Sequence, residues 1–172
     1  MAQRELWFER RFVFDLPPSR FAGTVERLRG TPMRLEERTR GLERATLVRH
    51  DPQKWSIQEQ VGHLLDLEPL WFRRTEQLFA GEGELVAADL TNRKTDEAGH
   101  NARPLTELLD EFRDARGRLL DLLNRADDAT IVRAARHPRL QQPLRLIDHA
   151  LFVAEHDDHH LAGITELRQR WG

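Results

Sequence analysis

Ser56 opens the stretch that most restricts what this chain can become. Ser56-Ile57-Gln58-Glu59 is a capping box, in which a serine hydroxyl and a glutamate carboxylate satisfy each other's free backbone amides at a helix start. Behind it, Ile57, Val61, Leu64, Leu65, Trp71 and Phe72 recur at helical spacing to about Phe79, and Gly81 and Gly83 end the run. A helix with one apolar face must bury that face against other elements, and the chain supplies more helices of the same kind.

A first helical region runs from about Ser19 to Gly41. Thr31 before Pro32 has the residue types of an N-cap and a first helical position, so this region is either one kinked helix or two collinear pieces. A third helix starts near Pro104 and carries Leu105, Leu108, Leu109, Phe112, Leu119 and Leu122 to about Arg125. A fourth runs from about Leu144 to Arg170. Thr46 to Lys54 reads as a loop, and a second loop holding Pro138 and Pro143 leads into the last helix. No strand signal of useful length is present. The expected fold is all-α: a four-helix bundle in one domain spanning residues 1–172. Residues 1–18 form an extended arm whose Trp7, Phe8, Phe12, Val13 and Phe14 lie against the body. The polar connection 81–103, between helices two and three, is unusually long for a compact domain. It either contains a short helix or crosses the bundle to cover a site.

Four of the eight histidines, His149, His156, His159 and His160, fall within twelve residues of the fourth helix. At 3.6 residues per turn, His156 and His160 differ by only about 40° and lie one turn apart, the spacing that lets two imidazoles reach one cation. His159 points about 60° to the other side of His156, toward Glu155 and Asp158, and reads as a surface residue. The apolar stripe of this helix is centred about 120° from His156, which puts the pair on its flank, where a bundle opens to a cleft. His63 occupies the matching flank of the second helix. Two facing helices could supply one ligand and two ligands to one ion. For each histidine alone, a packed core imidazole is the competing reading.

With no cysteine in the chain, thiolate metal sites, disulfides and a cysteine nucleophile are excluded. A net charge of −2, with acids interleaved among the arginines, gives no electrostatic pull toward nucleic acid. Charges run through the first dozen residues and no later stretch is long enough to span a bilayer, which points to a cytoplasmic protein. Glu68 and Asp157 fall near the centres of their apolar stripes, where an uncompensated carboxylate is costly. Each is either a group that orients a ligand imidazole or acts as a general base, or the buried partner of an arginine or a helix-end amide. The structural reading is favoured for Glu68. The two stand level for Asp157, which is kept as a candidate catalytic residue. Trp55 and Trp71 read as core anchors, and His100 as a loop histidine in water.

Lys54-Trp55-Ser56-Ile57-Gln58-Glu59-Gln60-Val61-Gly62-His63-Leu64 resembles the W-S-x-x-E-x-x-x-H-L start of the second helix in the DinB-like superfamily. His156-Asp157-Asp158-His159-His160 resembles that family's H-x-x-x-H signature in the last helix. The resemblance covers the chain from about Pro32 onward. It implies a four-helix bundle holding one divalent ion, commonly nickel or zinc, on three histidines that match His63, His156 and His160. Relatives include thiol S-transferases that use bacillithiol or mycothiol, a mycothiol-dependent maleylpyruvate isomerase, and many proteins described as metal-dependent hydrolases; many are homodimers. The resemblance therefore implies a metal-dependent transferase or hydrolase acting on a small molecule, with a low-molecular-weight thiol as a candidate cofactor. The competing class is a stress-response bundle that binds metal without turnover.

Overall fold

The computed structural model describes residues 4–50 and 54–171. Residues 1–3 of the expected arm and 51–53 of the expected loop lie outside the described residues. Four long helices make the body: α1 (Phe21–Thr39), α2 (Ile57–Ala80), α3 (Leu105–Leu123) and α4 (Leu146–Trp171). Each of α1 and α2 packs mainly on α3 and α4, so the connections α1–α2 and α3–α4 cross diagonals of the bundle.

The capping box forms as read. The Ser56 hydroxyl accepts from Glu59 N, and the Glu59 carboxylate accepts from Ser56 N at 2.8 Å. At the other end Gly81, at φ 74°, closes α2 in the left-handed conformation that a side chain resists. Ser56 is thus a fixed origin for the α2 register, and His63 follows two turns behind it.

Of the two forms read for this region, the structure has the single helix, and Thr31 is not an N-cap. α1 passes through Pro32 without a break, and the Thr31 hydroxyl is turned inward to donate to Asp157 Oδ2 at 2.7 Å. A proline inside a helix leaves the carbonyl four residues back without its donor. Here that carbonyl, Leu28 O, accepts from Arg116 Nη1 of α3 at 3.2 Å. Tertiary structure replaces the bond that local sequence removes.

Two further readings need correction. Residues Arg44–Leu47 form one helical turn, which overlaps the segment expected as loop at Thr46 and Leu47. Ala134–Arg136 and Pro143–Arg145 form a two-stranded antiparallel hairpin, β1 and β2, where no strand was expected. Strands of three residues are too short to show an alternating pattern. Only the central pair, Ala135 opposite Leu144, faces the core.

The connection 81–103 takes the first of its expected forms. It contains the short helix Arg93–Glu97 and the 3-10 turn His100–Ala102, and it also lies along α2. The arm runs over the opposite flank, packing Trp7, Phe12, Phe14 and Leu16 on one core cluster. Among the described residues, no helix is long and apolar enough to cross a membrane.

Candidate metal centre

His63 of α2 and His156 and His160 of α4 meet in the gap between the two helices. They are 4%, 4% and 7% exposed, and one ring nitrogen from each lies within 4.8 Å of the other two. They stand at the floor of a cavity of about 960 Å³. Trp55, Leu67, Trp71 and Phe152 give it apolar walls, the arm contributes Trp7 and Phe8, and the long connection contributes residues 87–90.

Hydrogen bonds fix which nitrogen is available in two of the three rings. The Thr95 hydroxyl donates its only proton to Asp66 Oδ2 at 3.0 Å, so at 3.0 Å from His63 Nδ1 it must accept. His63 therefore carries its proton on Nδ1 and keeps the Nε2 lone pair free. Gln60 Oε1, an acceptor, lies 2.5 Å from His160 Nδ1 and fixes the same tautomer there. The Nε2 atoms of His160 and His156 are then 3.2 Å apart. Two nitrogens bound to one ion at ~2.0–2.1 Å in tetrahedral geometry would be roughly 3.3 Å apart. His156 Nδ1 is buried without a partner among the described residues, and the Trp7 ring abuts its imidazole at a centroid distance of 4.9 Å. The donor set and its spacing fit a divalent cation.

Electrostatics supports the same fit. Burial pushes His63 down to about 4, against a smaller upward pull from Asp66. Burial, and then the neighbouring imidazoles, hold His156 and His160 well below the ordinary histidine range. All three rings are neutral at pH 7, the form in which an imidazole ligates a metal.

The outer shell comes mostly from residues that sequence reasoning passed over. Asp66 accepts from Thr95 and, at 2.8 Å, from His100 Nε2. His100 is 3% exposed, not a loop histidine in water. Its ring lies so close to α2 that a Cβ on Gly62 would meet it at 2.2 Å. A mid-helix glycine beside a candidate ligand costs about 1 kcal/mol relative to alanine, and that cost was the available signal of a close approach. Trp55 is only half buried and lies over His63, with ring centroids 4.4 Å apart and its Nε1 donating to Asp96 at 2.9 Å. It is a wall of the site rather than a core anchor, whereas Trp71 is both. His159, expected on the surface, is half buried, lines the cavity and contacts Arg4.

Asp157 is not brought to the cavity. Its oxygens accept from Thr31 and from Arg116 Nη1 at 2.6 Å and Nη2 at 3.1 Å, and the residue is fully buried. Glu68 receives Arg116 Nη2 at 2.6 Å, in line with its favoured reading. Desolvation opposes the Arg116 charge, but Asp157 and then Glu68 outweigh it and hold the guanidinium protonated. Burial pushes the Glu68 carboxyl up, against the pull of Arg116. One arginine thus binds Glu68 of α2, Asp157 of α4 and the Leu28 carbonyl of α1.

Comparison with known proteins agrees with this fold. The structure is similar to that of YfiT from Bacillus subtilis, described as a probable metal-dependent hydrolase with an unusual four-helix bundle topology. The TM-score is 0.80 at 21% identity, over 95% of both chains. It is also similar to a mycothiol-dependent maleylpyruvate isomerase, with TM-score 0.67 and 11% identity. That match covers 86% of this chain but only 60% of the isomerase. No curated protein sequence matches. The DinB superfamily pattern matches residues 27–164, from α1 through both histidine-bearing helices, and the chain belongs to the DinB superfamily.

Proposed function

We propose that this protein is a divalent-metal-dependent enzyme acting on a small molecule, by transfer of a thiol or by hydrolysis, with His63, His156 and His160 as the metal ligands. The observation that carries the reading is the convergence of three neutral, buried imidazoles at the floor of a large cavity. A closed structural site would leave no room for a reactant, whereas three protein ligands leave a position open.

A bound divalent ion would supply Lewis acidity, polarising a reacting group and lowering the pKa of a nucleophile. The chain's own residues supply the rest. Thr95 and Gln60 lock two imidazoles in the tautomer that presents Nε2. Asp66, held below the usual carboxylate range by His100 and Thr95 against the upward push of burial, anchors Thr95 as an anion. Trp7, Trp55 and Trp71 surround the imidazoles with aromatic surface that excludes water. Asp157 is a positioning residue, because its ion pair with Arg116 fixes the turn of α4 that carries His156. Hydrolase and transferase chemistry make the same demands on these residues.

The test is a screen of low-molecular-weight thiols with electrophilic acceptors, alongside activated esters and amides, on metal-loaded and metal-stripped protein. Turnover in one class that vanishes with the metal is the expected result. Turnover that survives metal removal, or a binding-only protein inert to every class, would overturn the reading.

A further inference from the structure

Eleven residues beyond His63, three turns along the same face of α2 and about 16 Å of axial rise away, Arg74 lines the cavity that holds the histidines. It is 1% exposed, yet it has no acidic partner among the described residues. Its Nε donates to Val86 O at 3.0 Å and its Nη1 lies 3.1 Å from His137 Nε2. Burial, and then the second guanidinium of Arg139, push Arg74 down to about 10. Arg139 lines the same cavity and makes no ion pair among the described residues, and its Nη2 is buried without a hydrogen-bond partner. Its guanidinium lies 5.5 Å from the Phe8 ring and 5.8 Å from that of Phe152. Trp71 Nε1, on a ring 5.6 Å from the Arg74 guanidinium, is a further buried donor with no acceptor.

Acids do line the cavity, but three of them are engaged elsewhere. Glu59 caps α2, Asp89 accepts from Thr91, and Asp96 accepts from Trp55. The fourth, Glu9, is exposed on the arm, and no acid acts on either arginine among the described residues. Two cations and an indole N–H thus share one end of a cavity without a counter-ion among the described residues. Buried charges in proteins are otherwise paired, and unpaired donors at such a density mark a place where an acceptor enters from outside.

We propose that Arg74 and Arg139 form a subsite for the oxyanion head of a small acid, whose apolar body lies along Trp71 and Phe152 toward the histidines. The proposal deepens the reading of this cavity as a substrate site, and rests on it for the direction in which the ligand lies. It also selects a substrate class, acids with an aromatic or alkyl body between the charge and the reacting group. Guanidinium donors meet carboxylate and phosphate oxygens in pairs, so either head suits the site.

The test is a titration of the full-length chain, as purified and again after EDTA treatment, followed by tryptophan fluorescence. The probes are 4-phenylbutyrate, 3-phenylpropyl phosphate and the neutral 4-phenylbutyramide. At least one acid is expected to bind about tenfold more tightly than the amide, a difference of ~1.4 kcal/mol, and the tighter acid identifies the head. Arg139→Gln is expected to abolish that preference, while His63→Ala keeps it. Equal binding of acids and amide by the wild-type chain would overturn the proposal, as would a preference unchanged in Arg139→Gln. Because the preference is read without metal, it stands or falls separately from the metal centre.

Discussion

His156 and Asp157 are consecutive residues of one helix, both buried, and they belong to two polar regions of opposite character. Around Asp157, every strong donor and acceptor finds its partner inside the chain. Arg116 binds two carboxylates and a carbonyl, and Thr31 completes the set. Around His156 the accounts stay open, with imidazole nitrogens converging on one another and a ring nitrogen without a partner among the described residues. The first region is closed by the fold and needs nothing more. The second is organised by the fold toward something the chain does not contain. Burial and polarity alone do not separate structure from function in a bundle core; exhausted hydrogen-bonding capacity does.

Breaking the closed region should have the largest effect. Arg116→Met leaves two buried carboxylates unpaired and strips the Leu28 carbonyl of its donor, at an expected cost of about 3–5 kcal/mol in urea unfolding. Replacing Glu68, Arg116 and Asp157 together with apolar residues of similar volume should cost much less. If Arg116→Met were as stable as wild type, the ion pairs would not be the fastening described here.

Acid should sharpen the comparison next. His137 and His149 are each pushed down to about 3, first by burial and then by Arg74. Their unfolded counterparts take up protons below about pH 6.5. From there down to about 3, the unfolded chain binds more protons than the native one, so stability falls with pH. The slope is up to about 1.4 kcal/mol per pH unit for each histidine. Urea midpoints at pH 7, 6 and 5 in metal-free protein measure it, and a flat series would contradict the neutral, buried assignment.

The smallest effect on folding, and a specific one on the site, is expected from Thr95→Val. Losing the hydroxyl frees His63 to rotate and should weaken metal binding about 10–100-fold. Its thermal midpoint should move far less than that of Arg116→Met. An unchanged metal affinity would remove Thr95 from the outer shell.

Sequence periodicity made most of this bundle legible, because capping residues and apolar spacing are local and strong. The Ser56 box, the Gly81 stop and the 40° offset between His156 and His160 all required only helix geometry. The choice between one helix and two at Pro32 stayed open in the sequence, because the donor that replaces the proline's lost bond comes from Arg116, far along the chain. The outer shell was hidden for the same reason. Thr95, Asp66 and His100 meet only after a long connection folds back on α2, and a lone threonine in a polar connection carries no pattern. The cationic end of the cavity was equally silent, since Arg74 and Arg139 lie among many surface arginines that look identical in sequence. Asp157 could be narrowed to two roles by its place in the apolar stripe, and only its neighbours decided between them.

The central claim is that the open region is completed by a metal ion that serves chemistry rather than folding. Its most direct test is elemental analysis of untagged protein, wild type beside His63→Ala, with thermal unfolding of the metal-loaded wild type and the variant. Roughly one divalent ion per wild-type chain and none in the variant is the expected result, with the variant keeping nearly all of the wild-type thermal stability. A wild-type chain that takes up no ion after reconstitution with nickel, zinc or manganese would contradict it.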